Sequence, residues 1–509
     1  MAVPNDFVQP ASGRFRDVFG HPRPLWMLFL TEFWERFCFY GMRWMLTLYI
    51  VTEFFGGDAQ GQAPASRIYG AFLALIFATA ILGGYAADRI LGYQRSVLLG
   101  AAFIAAGLFT LLVPDQTVFM IGLSIIIIGN GLFKPNIATM IGGLYAPGDA
   151  RRDRGFTVFY TGVNVGAFLA PLVTGYVAAK FGFVDFAEPS ARAQGLRIGF
   201  AVSGVGMLLS CFWFFFGRRE LGPIGRPPPG REDRRHALAV AGAALVLVPI
   251  VYLLLQNNAW LILLLAALLA LCFLGLIRVG IGQGPVQRDR VVALLVLFLV
   301  NVLFFMFFEQ GGASLNFLAD HLTDRKMSAG WEFPTGWFQS VGPLAVILLA
   351  PVIAVAWGRL ARRNREPSIP QKFGLGLIFT ALGFLVLAHA LGHLVNDQGL
   401  VPIWALAACY LFKTIGELHL APIGLSMVTQ LAPPRMIGVT MGAWFLSVSI
   451  GDSLAGWFAA RISAAGGKAG LTVASALGGF TLSFWLLLGA GFFVLLVAPL
   501  ISKLMHGVN

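Results

Sequence analysis

Charged residues and cysteines are scarce in this sequence, and their scarcity excludes several classes of protein. Only 12% of the 509 residues are charged, whereas soluble globular proteins average about 25%. Hydrophobic residues reach 58% and gather in runs of about 20 or more, the length that crosses a bilayer core of ~30 Å. The runs lack the polar–apolar alternation of barrel strands. The sequence therefore predicts an all-α polytopic membrane protein.

The sparse cysteines and histidines argue against a disulfide framework or a metal site. All four cysteines lie inside apolar runs without a CxxC spacing: Cys38, Cys211, Cys272 and Cys409. His389 and His393 are one helical turn apart but have no third candidate ligand. A membrane-embedded hydrolase needs a nucleophile beside a base, or two or three metal ligands, and neither arrangement is present in the sequence. We expect no enzyme activity, no metal and no cofactor.

Fourteen apolar segments are predicted to span the membrane. They lie near 25–55, 66–91, 95–113, 117–145, 154–180, 197–217, 237–255, 259–279, 291–320, 335–358, 373–395, 401–431, 436–463 and 479–503. The segments at 237–255 and 259–279 follow a basic, proline-rich stretch and contain almost no polar residues, so we interpret them as an inserted hairpin. The predicted domains are an N-terminal six-helix bundle (1–217), a basic linker with the hairpin (218–290) and a C-terminal six-helix bundle (291–509).

The distribution of Lys and Arg predicts the orientation in the membrane. With the N-terminus inside, 24 of these residues fall in inner segments and 8 in outer loops. We expect a multi-pass protein of the cell inner membrane, and this bias predicts that both of its termini are cytoplasmic. It also accounts for the net charge of +12 without a nucleic-acid partner.

The first predicted span carries four charges that a helix in lipid does not need. At ~100° per residue, one face of this helix is formed by Glu32, Arg36, Tyr40 and Arg43, with Glu35 at its edge. An ionisable group at membrane depth costs on the order of 2.5–3.5 kcal/mol by insertion scales, so it persists where it faces a cavity or a partner. Glu32 and Arg36 could simply neutralise each other at i, i+4. We favour a functional site on this face.

Later spans also contain ionisable or polar residues. These are Lys134, Asn164, Glu309, Gln310, Lys413 and Glu417. Lys134 requires a carboxylate partner, and Pro135 beside it frees backbone carbonyl groups. Asn164 could equally serve as an interhelical hydrogen-bonding group. Lys413 and Glu417 could pair with each other, but cations in the first half and carboxylates in the second favour pairing between the halves.

The loop after the second span has a recurring glycine–acid–arginine pattern. Gly84-x-x-x-Asp88-Arg89-x-x-Gly92-x-x-Arg95 is similar to the loop signature of the major facilitator superfamily (MFS), and residues 358–363 echo it in the second half. The positive-inside bias alone could also explain the arginines. The resemblance implies the MFS fold of two six-helix bundles, here with a two-helix insert and 14 transmembrane helices in total.

Five further segments, in chain order, resemble the proton-coupled oligopeptide transporters (POT/PTR family), a branch of the MFS. They are Glu32-x-x-Glu35-Arg36-Phe37-x-x-Tyr40-Gly41, Gly129–Asn136, Glu309-Gln310 with Ser314-Leu315-Asn316, Gly416-Glu417-Leu418 with Pro422–Val428, and Met441-Gly442-x-Trp444-Phe445-Leu446. Bacterial members of this family also have the two-helix insert. The chain therefore resembles a bacterial member of the family.

The resemblance implies how a peptide is bound. The implied substrate-binding residues are Arg36, Tyr40, Lys134, Asn164, Gln310, Glu417 and Trp444. Within this set, Arg36 and Lys134 would hold the C-terminal carboxylate of the peptide. Asn164 and Glu417 would help to hold its N-terminal amine.

The resemblance also implies how protons and gates are handled. Glu32 and Glu35 would take part in proton coupling, and Glu309 would be a second protonation site. Two ion pairs would close the gates: Arg43 with Glu309 outside, and Lys134 with Glu417 inside. The implied function is proton-coupled import of di- and tripeptides by alternating access, with the proton gradient as the energy source. The expected partners are a small peptide, protons and the lipid bilayer, and we expect a monomer.

Three positions depart from the family pattern. Phe77 stands where the family usually has a tyrosine, Gly70 where animal relatives have a histidine, and Gly342 where we expect an asparagine near the peptide amine. These departures leave an alternative open, in which the same fold carries another small anion or zwitterion such as nitrate or an amino acid. A gated channel is a further alternative, which strict coupling of peptide flux to proton flux would exclude.

Overall fold

The computed structural model describes residues 15–146, 148–182, 188–328 and 331–508. The first fourteen residues of the predicted N-terminal bundle therefore lie outside the described part. Fifteen α-helices are present in the described residues: α1 Arg23–Tyr49, α2 Gln62–Ala86, α3 Tyr93–Thr110, α4 Gln116–Gly142, α5 Arg151–Gly182, α6 Pro189–Gly217, α7 Arg234–Gln256, α8 Asn258–Gly282, α9 Pro285–Phe308, α10 Ser314–His321, α11 Val341–Arg362, α12 Ile369–His393, α13 Ile403–Leu431, α14 Ile437–Ala465 and α15 Val473–Leu504.

In the described residues, six strands of two or three residues lie outside the helices. They are β1 Asp17–Val18, β2 His21–Pro22, β3 Thr323–Asp324, β4 Lys326–Ser328, β5 Trp331–Glu332 and β6 Val401–Pro402. They form three two-stranded ribbons, β1–β2 and β4–β5 antiparallel and β3–β6 parallel. The ribbons pair short loop segments, and the packing of the helices forms the fold.

Eleven helical segments of the described chain are long and apolar enough to cross a membrane, counting α9 and α10 as one. The other three helices, α1, α3 and α13, complete the fourteen predicted spans. Charges interrupt the apolar sequence of α1 and α13, and α3 has only 18 residues. Observed boundaries differ most at α6, which begins at Pro189, eight residues before its predicted start.

The helices form two compact units, and the chain passes between them more than once. The first unit contains residues 15–45 and 75–256 of the described chain. Within it, α3 packs on α4 and α6, α5 packs on α6, and α7 packs on α4. Helices α2 and α4 pack closely at Gly83, where a side chain would collide with the carbonyl group of Gly131.

The second unit contains residues 46–74 and 257–508. Helix α12 packs on α13 and α15, and α14 packs on α8 and α9. The inserted hairpin is therefore divided, with α7 in the first unit and α8 in the second. The domain boundaries predicted from the sequence follow chain order alone and stay a prediction.

The tip formed by the end of α1 and the start of α2, residues 46–74, is held within the second unit by hydrogen bonds. Thr47 donates its hydroxyl to the carbonyl oxygen of Gly312 (2.9 Å), and Asn316 donates its amide to Thr47 Oγ1 (3.1 Å). The Gln62 side chain accepts the backbone N–H of Leu471 (2.8 Å). All these polar groups are buried, so each bond also satisfies a group that water does not reach.

Candidate functional site

The charged cluster of α1 is a buried network centred on Arg36. Its guanidinium donates two hydrogen bonds to the Glu35 carboxylate, one of them at 2.7 Å from Nη2 to Oε1. Glu32 Oε1 lies 3.2 Å from Arg36 Nε, one helical turn away. The three side chains are only 1–6% exposed. Two carboxylates therefore share one guanidinium inside the helix bundle, and the bidentate geometry makes the contact to Glu35 the stronger one.

Helix α5 packs closely against α1 beside this cluster. The backbone of Gly166 lies against α1, where an added Cβ would stand 2.5 Å from the Phe33 carbonyl oxygen and 3.3 Å from Arg36 Cβ. Small residues allow such approach between membrane helices. Glu32 Oε2 is buried and has no hydrogen-bond partner within the described residues. This oxygen is therefore a free acceptor for a proton or a substrate donor.

Aromatic rings lie beside two other cations of the first unit, Lys134 and Arg43. Lys134 Nζ lies 4.0 Å from the centre of the Phe77 ring. The Arg43 guanidinium lies 5.6 Å from the Tyr40 ring. Lys134 is also within electrostatic reach of Glu32. Glu32, Lys134 and Phe77 therefore lie near one another. The Phe77 ring stabilises the Lys134 ammonium group through a cation–π contact.

Asn164 lies on α5 and is largely buried. Its amide donates to the Tyr160 carbonyl oxygen (2.9 Å), one turn earlier in the same helix. This bond lies within one helix, so it tests neither the interhelical role nor the substrate-binding role that the sequence predicts for Asn164. Its expected contact with the peptide amine stays a prediction.

Glu309 stands where the predicted span at 291–320 is broken. Helix α9 ends at Phe308, a 3-10 turn covers Glu309–Gly312, and α10 starts at Ser314. The Tyr69 ring lies against Gly312 and leaves no room for a side chain there. Tyr410 Oη and Gln339 Nε2 donate to the Gly311 carbonyl oxygen at 2.9 and 3.2 Å. Side chains thus satisfy the backbone groups that the break releases.

Gln310, predicted to bind substrate, is completely buried and makes hydrogen bonds with every polar atom of its side chain. Its amide nitrogen donates to the carbonyl oxygens of Met306 (2.9 Å) and Ala455 (3.1 Å). Its amide oxygen accepts from Ser314 Oγ (2.6 Å). In this structure Gln310 ties both sides of the helix break to α14.

Trp444 is also buried, in the core of the second unit. Its ring meets Phe298 edge-on at 5.7 Å and Phe373 at 6.4 Å. Gly424 on α13 lies so close to the indole that an added Cβ would overlap it. The described contacts of Trp444 are therefore packing contacts between α9, α12, α13 and α14.

Lys413 and Glu417 lie one turn apart on α13. The Lys413 ammonium group is buried and lies 5.3 Å from the ring centres of both Phe308 and Tyr410. Lys413 is thus placed beside the helix break that contains Glu309. Sequence reasoning missed two aromatic partners of the charged residues, Tyr410 here and Phe39, whose ring lies 5.1 Å from the Arg36 guanidinium. The i, i+3 spacing of these aromatics from their cations was the available signal.

Two of the departures from the family pattern have a structural setting. An added Cβ at Gly70 would lie 2.7 Å from both the Asp452 carbonyl oxygen and Gly456 Cα, so a histidine there would push α2 away from α14. At Gly342, an added Cβ would meet Thr414 Oγ1 at 3.3 Å. The space near Gly342 is therefore open except on the side of α13.

Outside the spans, one ion-pair cluster precedes α5. Arg151 donates hydrogen bonds to Asp149 and to Asp17, both at 2.9 Å. The Arg151 hydrogen bonds hold the pKa of Asp149 below its usual value. Within the described chain, no group of three His, Cys, Asp or Glu residues is placed to hold a metal ion.

Buried charge networks on membrane helices of two compact units are typical of transporters, in which ionisable residues mark ion and substrate pathways. The fold and the charged residues thus define a multi-pass membrane transporter. A model of the POT family matches residues 94–472. The chain belongs to the POT family, and its fold is that of the MFS with 14 transmembrane helices, as predicted.

Individual relatives match almost the whole chain. It is 37% identical to the peptide transporter YePEPT of Yersinia enterocolitica subsp. palearctica over 88% of this chain and 89% of the relative. It is 30% identical to dipeptide and tripeptide permease B of Photorhabdus luminescens over 87% and 88%. A crystal structure of peptide transporter POT in complex with sulfate matches with a TM-score of 0.81 and 34% identity over 97% of both chains. These relatives are transporters.

Proposed function

We propose that this protein is a proton-coupled symporter that imports di- and tripeptides across the cell inner membrane by alternating access. The observation that carries the proposal is the buried network in which Glu32 and Glu35 share the Arg36 guanidinium. Protonation of a carboxylate cancels its charge and weakens its hold on the guanidinium. The guanidinium is then available to a peptide carboxylate, so the binding of a proton and of a peptide are linked.

The rest of the proposal assigns the other charges. Arg36 and Lys134 bind the peptide carboxylate, and Asn164 and Glu417 bind the amine. Arg43 with Glu309 and Lys134 with Glu417 act as the outer and inner gate pairs, and Glu309 is a second protonation site. The names of the relatives, a peptide transporter and a dipeptide and tripeptide permease, support this choice of substrate. The proposal takes the proton gradient as the energy source, without a cofactor, and a single copy of the chain as the transporting unit.

The test is uptake of a labelled dipeptide into proteoliposomes under an imposed inward proton gradient. We expect the native chain to concentrate the dipeptide. The Glu32→Gln variant should lose gradient-driven uptake, because an amide, unlike a carboxylate, does not take up and release a proton at physiological pH. Glu188→Gln is the matched control, since Glu188 is exposed before α6. Normal accumulation by the Glu32→Gln variant would contradict the role of Glu32. Absence of dipeptide uptake by the native chain, together with gradient-driven uptake of labelled nitrate or of a labelled amino acid, would indicate the alternative substrate class.

A further inference from the structure

An apolar groove opens on the surface of the first unit between α2, α4 and α7. Its volume is about 360 Å³. Leu82 and Ala86 of α2 form one wall, Ala239 and Ala243 of α7 form the other, and Leu132 of α4 lies at the bottom. None of these residues belongs to the charged network of α1. The groove is therefore a feature separate from the proposed transport site.

The groove has the length of one lipid chain. Along α7 it runs from His236 to Leu247, which is about 16 Å at 1.5 Å per residue. Half of a bilayer core of ~30 Å has nearly the same depth. The wall residues Leu82, Ala239 and Ala243 are exposed, so the groove opens sideways to the acyl chains of the bilayer.

The mouth of the groove is basic. Arg231 and His236 line it, at the start of α7. The backbone around Arg231 is fixed, because the Arg95 side chain donates hydrogen bonds to the carbonyl oxygens of Arg231 (3.3 Å), Glu232 and Asp233 (3.3 Å). The Arg231 guanidinium is exposed and has no carboxylate partner among the residues described.

Two further details favour an anion at this mouth. His236 Nδ1 is buried and has no hydrogen-bond partner in the described part of the chain. The nearby carboxylate of Asp233 accepts the backbone N–H of Arg235 (3.1 Å) and pairs with its guanidinium (3.7 Å). That acid is thus engaged with Arg235. The Arg231 guanidinium remains as a donor for a phosphate group, and the His236 imidazole can add a second donor in the tautomer that carries a proton on Nδ1.

We propose that this groove binds one anionic glycerophospholipid, with an acyl chain along α7 and the phosphate headgroup at Arg231 and His236. Basic pockets between membrane helices are suited to anionic headgroups, and the apolar walls match a lipid chain. Because α4 forms the bottom of the groove two residues before Lys134, the bound lipid braces α2, α4 and α7 beside the charged site.

The experiment is native mass spectrometry of the purified full chain with phosphatidylglycerol or phosphatidylethanolamine of identical acyl chains. We expect one retained phosphatidylglycerol and weaker retention of phosphatidylethanolamine. Ala243→Phe should fill the groove and abolish retention, and Ala239→Phe serves as a second filling variant. Leu245→Phe is the matched control, because it adds a ring to the opposite, exposed face of α7, roughly 200° away.

The headgroup is tested separately with Arg231→Gln, which should abolish the preference for phosphatidylglycerol. Arg363→Gln, which removes an exposed arginine after α11, should leave the preference unchanged. Equal retention of the two lipids by the native chain would overturn the headgroup assignment. Undiminished retention by both groove-filling variants would overturn the groove as the binding site. Neither outcome depends on peptide transport.

Discussion

At the scale of single residues, the Arg36 network shows why charges can be kept inside a membrane helix. Glu35 accepts two hydrogen bonds from the guanidinium and Glu32 adds a second carboxylate, so the buried cation is compensated within one helix. Losing a buried carboxylate contact is more costly than losing an exposed one, because no water is present to replace it at the guanidinium. The network should therefore contribute to stability as well as to transport.

Glu35→Gln tests the contribution to stability. We expect a loss on the order of 2 kcal/mol, because the amide removes the charge-assisted bidentate contact to Arg36 and leaves Glu32 as the remaining carboxylate partner. Asp17→Asn is the comparison, since Asp17 pairs with Arg151 at 2.9 Å with both side chains 40–51% exposed, and exposed pairs contribute about 0–1 kcal/mol. Thermal unfolding in detergent, followed by tryptophan fluorescence, measures both. Equal shifts in melting temperature would contradict the prediction.

At the scale of elements, two neighbouring glycines of α2 allow the effect of helix packing to be measured apart from the effect of helix propensity. Gly83 lies against the Gly131 backbone of α4, whereas an added Cβ at Gly84 meets no atom within 4 Å. The two positions share a helix and differ only in the face they occupy. The close approach of α2 and α4 therefore depends on Gly83 alone of this pair.

Gly83→Ala should be destabilising and Gly84→Ala should not. The first forces α2 and α4 apart, at a cost of roughly 1–3 kcal/mol for overpacking. The second replaces glycine by the best helix former in open space, which should stabilise by about 1 kcal/mol at most. Melting temperatures of the two purified variants in the same detergent decide the question. A Gly83→Ala variant as stable as Gly84→Ala would show that the two helices do not pack as described.

At the scale of the whole molecule, the helix order sets which loops share a side of the membrane. The loop containing Gln60 follows α1, and the loop containing Ala150 follows α4, so three helices separate them. An odd number of spans places the two loops on opposite sides. The arginines at 151, 152 and 154 favour the cytoplasmic side for the second loop.

Single cysteines introduced at these positions test that orientation. In right-side-out vesicles we expect Gln60→Cys to react with a membrane-impermeant maleimide and Ala150→Cys to react only after permeabilisation. The native cysteines, which lie inside α1, α6, α8 and α13, are first replaced by alanine, and that background is the control. Labelling of both sites from outside would contradict the helix count, and the reverse pattern would invert the topology.

The sequence by itself determined the class, the number of spans and the family. Long apolar runs identify the spans because lipid requires every helix to satisfy its own backbone, even where a few charges interrupt the run, as in α1 and α13. The cluster of Glu32, Glu35 and Arg36 was also predictable, because charges that are close in sequence on one helix lie close together however the other helices pack. Lys134, Glu309 and Glu417 were found as ionisable residues inside predicted spans, and the family resemblance added their roles; their exchange of partners during transport remains a prediction.

Only the tertiary structure decided the local settings of these residues. The break at Glu309–Gly312 depends on Tyr69, Gln339 and Tyr410, which are distant in sequence. The same holds for the burial of Gln310 and Trp444, and for the placement of Lys134 over Phe77. Contacts of this kind depend on which helices become neighbours and on the rotation of each one, and neither is encoded in the spacing of residues along a single helix.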